Sequence, residues 1–158
     1  MQKYLITKKG NIYLKKKLKE LKIFKKPEII KDLSIARDFG DLSENSEYNS
    51  AKKSLYLINK EIENLENFLS KCEIIEPENI KNKNIINFSA TIELKNIEKN
   101  KNIKYKIVGD EEINLEPNSI SINSPVAKIL IGKSINDIIR IKQLNKIIKY
   151  KIISINYL

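Results

Sequence analysis

Apolar residues fall at Tyr48, Ala51, Leu55, Ile58, Ile62, Leu65, Leu69 and Cys72, with steps alternating 3 and 4. That alternation is the seam of a coiled coil, held for more than three heptads. Leu14, Leu18 and Leu21 begin a matching stripe upstream, and Ile29, Leu33 and Ala36 resume it. Thr7 is placed to cap the first helix. Pro27 lies between the two stretches and predicts a kink or a local loosening, because it removes a backbone donor. A short turn at Phe39-Gly40 would fold the two stripes against each other as an antiparallel hairpin. About 30 helical residues make an arm of roughly 45 Å. An arm of two helices buries little, so it needs a second body to anchor it or a partner to receive its end.

The helical period stops near Glu76-Pro77-Glu78-Asn79. Beyond it lie short β runs at 87–94, 103–108, 120–122, 138–142 and 147–155, separated by Asn- and Lys-rich turns. Such spacing predicts a small antiparallel sheet or half-barrel. Ser124-Pro125 followed by Gly132 brackets one short helix with a cap, a first-turn proline and a closing glycine. The expected fold is α+β, divided into a hairpin over 1–76 with an acidic tip at 38–47 and a second domain over 77–158.

Composition narrows the chemistry. Isoleucine, lysine and asparagine supply 31, 28 and 19 of the 158 residues, a skew that A- and T-rich codons explain, so a net charge of +10 is weak evidence for any partner. With no histidine there is no Ser-His-Asp triad, no imidazole metal ligand and no imidazole switch. A single cysteine, Cys72, excludes an internal disulfide framework and a cysteine zinc site. No apolar run approaches the roughly 18 residues of a membrane span, and lysines interrupt the N-terminus too early for a signal-peptide core. The expectation is a soluble cytoplasmic protein whose chemistry rests on carboxylates, hydroxyls, lysines or a borrowed metal.

Charge distribution says more than charge total. Residues 1–26 carry ten lysines against Glu20, whereas residues 38–50 carry Asp38, Asp41, Glu44 and Glu47 and no base. A hairpin turns that contrast into a basic shaft and an acidic tip. Codon bias explains the shaft but not a tip without lysine. Asp41 and Glu44 have the spacing of a helix capping box, with Gly40 ending the preceding helix. They also form a pair of ionised carboxylates aimed beyond the hairpin end. Two carboxylates are too few to hold Mg²⁺, which wants six oxygens, but they can complete a site whose other ligands come from a partner and a phosphate.

The tip run Gly40-Asp41-Leu42-Ser43-Glu44-Asn45-Ser46-Glu47-Tyr48, followed by Ala51-Lys52, resembles the signature of the bacterial transcript-cleavage (Gre) factor family. Thr7-Lys8-Lys9-Gly10, Lys26-Pro27-Glu28-Ile29, Ala36-Arg37, Tyr105 to Gly109, Ile120 to Pro125 and Ile131-Gly132-Lys133 extend the resemblance over nearly the whole chain. It implies a coiled-coil hairpin and a C-terminal domain of FKBP-like fold that docks on DNA-directed RNA polymerase. It implies insertion of the hairpin through the secondary channel and stimulated cleavage of the backtracked nascent RNA 3′ end by the polymerase's own active site. Asp41 and Glu44 then help hold a second Mg²⁺ shared with the polymerase and orient water. No metal would be bound tightly by the chain alone, and the chain would not itself be an enzyme. Arg37 and Lys52 are the expected RNA contacts, against the plainer reading of a solvated helix face. Ser121, Ser124 and Pro125 are the expected docking residues, against a simple turn and helix start. No membrane is involved, and the chain is expected to be monomeric.

Departures from the family pattern are specific. Lys26, Lys52, Lys60 and Lys128 stand where arginine is usual, which keeps charge but loses bidentate phosphate recognition. Asn136 replaces a usual glycine, and Gln143-Leu144-Asn145-Lys146 lacks the usual proline and glycine. Leu42 stands where one branch of the family tends to carry arginine. Competing readings are a channel-docking protein that does not stimulate cleavage, which retention of both Asp41 and Glu44 opposes, and an adaptor with no chemistry. A prolyl isomerase is disfavoured, since Phe88, Tyr105, Tyr150 and Tyr157 are too few aromatics for a proline pocket.

Overall fold

A seam of alternating 3 and 4 steps must bury its stripe, and it does so here against a second helix. The structure, a computed structural model, describes residues 3–40 and 45–157. By compactness the chain divides into a helical unit, Asn11–Cys72, and a second unit formed by Met1–Gly10 with Glu73–Leu158. These units differ from a division at residue 76. The first ten residues join the second unit because strand β1 (Tyr4–Thr7) pairs with β2 (Cys72–Ile75) and Thr7 bonds to Glu112.

In the helical unit α1 (Lys8–Glu20) runs into a π-helical turn (Leu21–Lys25) and then α2 (Lys26–Arg37), and α3 (Ser46–Ser70) packs along α2. Every seam position from Tyr48 to Leu69 is at least half-buried, and between Ser46 and Asn67 all the remaining residues are exposed. At 1.5 Å per residue α3 is about 37 Å long. One departure from the sequence expectation has a physical cause: the helix ends at Ser70, so Cys72 belongs to β2 rather than to the seam. The local loosening expected near Pro27 takes the form of a wide turn: the Lys26 N–H donates to the Leu21 carbonyl five residues back, with right-handed helical backbone at both ends of the turn.

That wide turn repairs the register. Leu14, Leu18 and Leu21 lie 3 and 4 apart, as do Ile29, Leu33 and Ala36, but Leu21 to Ile29 is eight residues where two helical turns want seven. One extra residue in a π turn absorbs the excess, so both half-stripes face α3. Leu21 and Ala36 are both buried, on either side of the insertion.

In the second unit five strands are ordered β5-β4-β3-β7-β6, with β3 at Thr91–Asn96, β4 at Asn102–Val108, β5 at Ser119–Ser121, β6 at Ile138–Gln143 and β7 at Lys146–Asn156. All pairs are antiparallel except β4 with β5, which run parallel, so the sheet is mixed rather than purely antiparallel. The stretch 87–90, read as strand from its sequence, precedes β3 instead: the Ser89 backbone is left-handed at φ 72°, which ends any extended run. Helix α4 (Pro125–Leu130) contributes Ala127 and Leu130 to the core that Ile92, Leu94, Ile107 and Ile152 build from the inner face of the sheet. Fully burying one such isoleucine or leucine stabilises by about 1.5–3 kcal/mol.

One buried carboxylate ties the N-terminus to this unit. Glu112, 2% exposed, accepts the Thr7 N–H at 3.3 and 3.2 Å on its two oxygens, the Thr7 hydroxyl, and the Gly109 N–H at 3.0 Å. Thr7 in turn accepts the Gly10 N–H at 3.0 Å, so the expected cap of α1 is in place. A β-carbon on Gly10 would lie 2.0 Å from the Glu112 Oε1, which explains a glycine in a first helical turn.

Candidate functional site at the hairpin tip

The tip is built by the two chain ends that flank residues 41–44. Helix α2 ends at Arg37, with the Phe39 N–H donating to the Ala36 carbonyl at 3.2 Å and Gly40 at φ 108°, a conformation that favours glycine. Asn45 begins α3. Its side-chain oxygen accepts the Tyr48 N–H at 3.1 Å, and its amide donates to the Ala36 carbonyl at 2.7 Å. One asparagine therefore caps one helix and holds the last turn of the other.

Asp41 and Glu44 lie outside the described residues, and so does the capping box expected of them. The described N-cap of α3 is Asn45, four residues beyond Asp41. Sequence reading missed Asn45 because the Asp41–Glu44 spacing offered a start signal first. The available signal was an asparagine directly before Ser46 and the apolar-periodic run.

Arg37 and Lys52 are both exposed. The Arg37 guanidinium lies 6.0 Å from the Tyr48 ring centroid, at the outer limit of a cation–π contact. Asp38 and Glu47 add two further carboxylates on the described flanks of the tip. Among the described residues no three His, Cys, Asp or Glu side chains group to hold a metal ion.

Ser121, Ser124 and Pro125 come together in a single turn of the second unit. Ser121 is 9% exposed; its hydroxyl donates to Asp110 and accepts the Asn123 N–H at 3.0 Å. The Asn123 side chain donates to Asp110 at 3.0 Å, and Ser124 caps α4 by accepting the Ala127 N–H at 3.2 Å. The serines thus organise the turn, while Asn123 and Pro125 are its exposed surface. Asp110 and Glu112 were not singled out from sequence, since their partners lie far along the chain.

A hairpin of this pattern joined to this sheet defines a class. The chain belongs to the GreA/GreB family of transcription elongation factors: the family model described as "Transcription elongation factor, N-terminal" matches residues 4–74, and "Transcription elongation factor, GreA/GreB, C-term" matches residues 81–157. Transcription elongation factor GreA of Wigglesworthia glossinidia brevipalpis is 44% identical over 97% of each chain. That of Psychromonas ingrahamii is 40% identical over 100% of this chain and 99% of its own. Among solved structures, the GreA factor homolog 1 (Gfh1) protein of Thermus thermophilus is similar at 23% identity, with a TM-score of 0.45 over 98% of this chain and 99% of that one. No helix among the described residues is long and apolar enough to cross a membrane.

Proposed function

We propose that this chain acts in the cytoplasm on DNA-directed RNA polymerase, placing its hairpin in the secondary channel and stimulating cleavage of the backtracked nascent RNA 3′ end. The observation that carries the reading is the pair of hydrogen bonds made by the Asn45 side chain, which accepts the Tyr48 N–H and donates to the Ala36 carbonyl. Together they tie the end of α2 to the start of α3, on either side of the stretch of sequence that contains Asp41 and Glu44.

Oxygen donors suit Mg²⁺, and a pair is an incomplete set, so Asp41 and Glu44 would supply only part of a coordination shell that polymerase and an RNA phosphate complete. Such a metal supplies charge neutralisation at the phosphate and a more acidic water. The chain's own part is positional. The carboxylates accept hydrogen bonds from the attacking water, and Arg37 offers a forked donor to the RNA backbone beside them. Lys52 adds charge without that fork, which makes Arg37 the more directional contact. Pro125 and Asn123 present the docking surface, with Ser121 and Ser124 holding its shape. On this reading the chain is a monomeric factor and the bond-breaking site belongs to polymerase.

The test uses stalled, backtracked elongation complexes with Mg²⁺, with and without the chain. Release of short 3′ RNA fragments only in its presence supports the reading. Hydrolysis of free RNA without polymerase would mean a self-sufficient nuclease, and docking without fragment release would mean a channel-binding protein that does not stimulate cleavage.

A further inference from the structure

The end of the hairpin and one groove of the second unit are complementary in charge and in apolar character. Residues 38–50 hold four carboxylates and no base, while residues 138–156 hold five bases and no acid. A groove of about 450 Å³ runs where α4 meets β6, the edge strand of the sheet. Ile129, Ile138 and Ile139 line it together with Lys133, Arg140 and Lys149. Exposed Ile97 extends its apolar part beside Lys149, whose carbonyl accepts the Ile97 N–H at 3.1 Å.

Neither side is neutralised within the chain. Among the described residues Lys133, Arg140 and Lys149 form no ion pair, and neither do Asp38 and Glu47 at the tip. The register sets Arg140 directly opposite Lys149, and like charges so placed oppose folding, so an anionic occupant relieves a repulsion that the sheet carries. At the tip Phe39, next to Asp38, is 73% exposed, the most exposed aromatic side chain among the described residues.

We propose that this groove takes the hairpin tip of a second copy of this chain, with Phe39 seated on the isoleucines and Asp38 and Glu47 facing the three cations. An aromatic anchor in an apolar pocket, surrounded by opposite charges, is the arrangement on which protein contacts centre. A phosphate backbone would use the cations and leave the isoleucines idle. Pairing of two β6 edges would instead set Arg140 and Lys142 of both copies against one another. Tip into groove is a head-to-tail contact, so a pair keeps one free tip and one free groove, and the assembly extends rather than closes. The occupied end is the one that bears Asp41 and Glu44, so an assembled copy withholds its tip from polymerase and the monomer is the acting form. That consequence rests on the function proposed above; the contact itself does not.

The experiment is sedimentation equilibrium of the full chain from about 1 μM to 1 mM, at about 50 and 300 mM salt. At low salt the average mass rises with concentration past that of a dimer, and at high salt the association constant falls at least about tenfold. Non-specific association of a chain with net charge +10 would strengthen as salt screens its repulsion. Asp38→Asn/Phe39→Ser spoils the tip and Arg140→Gln/Lys149→Gln spoils the groove, all at exposed positions, so both variants keep the wild-type circular dichroism. Each alone stays monomeric. Mixed in equal amounts, the intact groove of one takes the intact tip of the other, and the mass rises to a dimer and stops there. The proposal is overturned if wild type stays monomeric over this range, if association strengthens with salt, if either variant associates like wild type, or if the mixture stays at the monomer mass. Polymerase takes no part in this readout, so its outcome is independent of the cleavage assay.

Discussion

The Asn45 side chain donates to the Ala36 carbonyl at 2.7 Å while its own oxygen caps α3 at the Tyr48 N–H, 3.1 Å away. The end of one helix and the start of the next are therefore closed by a single residue. Asn45→Ala removes both bonds and is expected to cost about 1–2 kcal/mol in urea unfolding. Asn45→Asp keeps the cap and loses only the donor, so it falls between the two. Fragment release follows the same order, because the segment bearing Asp41 and Glu44 loses its anchor. Equal stability of all three proteins would remove the basis for this role.

The π turn predicts an asymmetry between two single-residue deletions. Removing exposed Phe24 brings Leu21 and Ile29 to seven residues apart, so the turn reverts to regular helix with a stability change within about 1 kcal/mol. Removing Lys31 rotates one half-stripe off the seam and costs roughly 2–4 kcal/mol from reduced burial of Leu33, Ala36 and their neighbours. Circular dichroism of the two proteins against urea distinguishes them.

Leu144 sits at φ 53° in the β6–β7 loop and is 96% exposed. A left-handed leucine is disfavoured by about 1–2 kcal/mol, and this one recovers nothing from packing. Leu144→Gly is expected to stabilise the chain by roughly 0.5–1 kcal/mol once the added freedom of the unfolded chain is deducted. Asn136, also left-handed at φ 74°, is the milder replacement because asparagine tolerates that conformation. Thermal midpoints of the single variants test both statements.

Glu116 is held below the usual glutamate range chiefly by its hydrogen bond from Lys9, with burial opposing and the Lys106 charge assisting. A depressed folded-state value means the stabilisation is fully present above the unfolded value and disappears as pH falls through the folded one. Glu116→Gln should therefore leave a shallower loss of stability below about pH 4.3, and little else changed in shape, in urea titrations from neutral to acid. Identical acid limbs for the two proteins would contradict the assignment.

How much of this was readable in the chain depended on range. The seam from Tyr48 to Leu69 was legible because coiled-coil burial is a local periodicity, and each residue's burial follows from its neighbours three and four positions away. β1 and β2 were not, since each is four residues long and Cys72 also satisfied the helical period. The Glu112 clasp joins residues 105 apart and leaves no spacing to find; Gly10 was visible only as a motif letter, and its reason is the carboxylate beside it. At the site, Arg37 and Lys52 were legible as exposed bases flanking an acidic tip. Asn45 lay within the recognised run, but its double role needs the Ala36 carbonyl brought back across the turn.

The most direct test of the tip's role is the rate of RNA fragment release from backtracked complexes at fixed Mg²⁺, comparing wild type with Asp41→Asn/Glu44→Gln. Both substitutions keep size and hydrogen-bonding capacity while removing charge. The variant is expected to occupy polymerase as wild type does, measured by competition, and to lose at least about a hundredfold in cleavage rate, the scale of removing a preorganised charge-stabilising group. Cleavage at the wild-type rate by a variant that occupies polymerase equally would contradict the account.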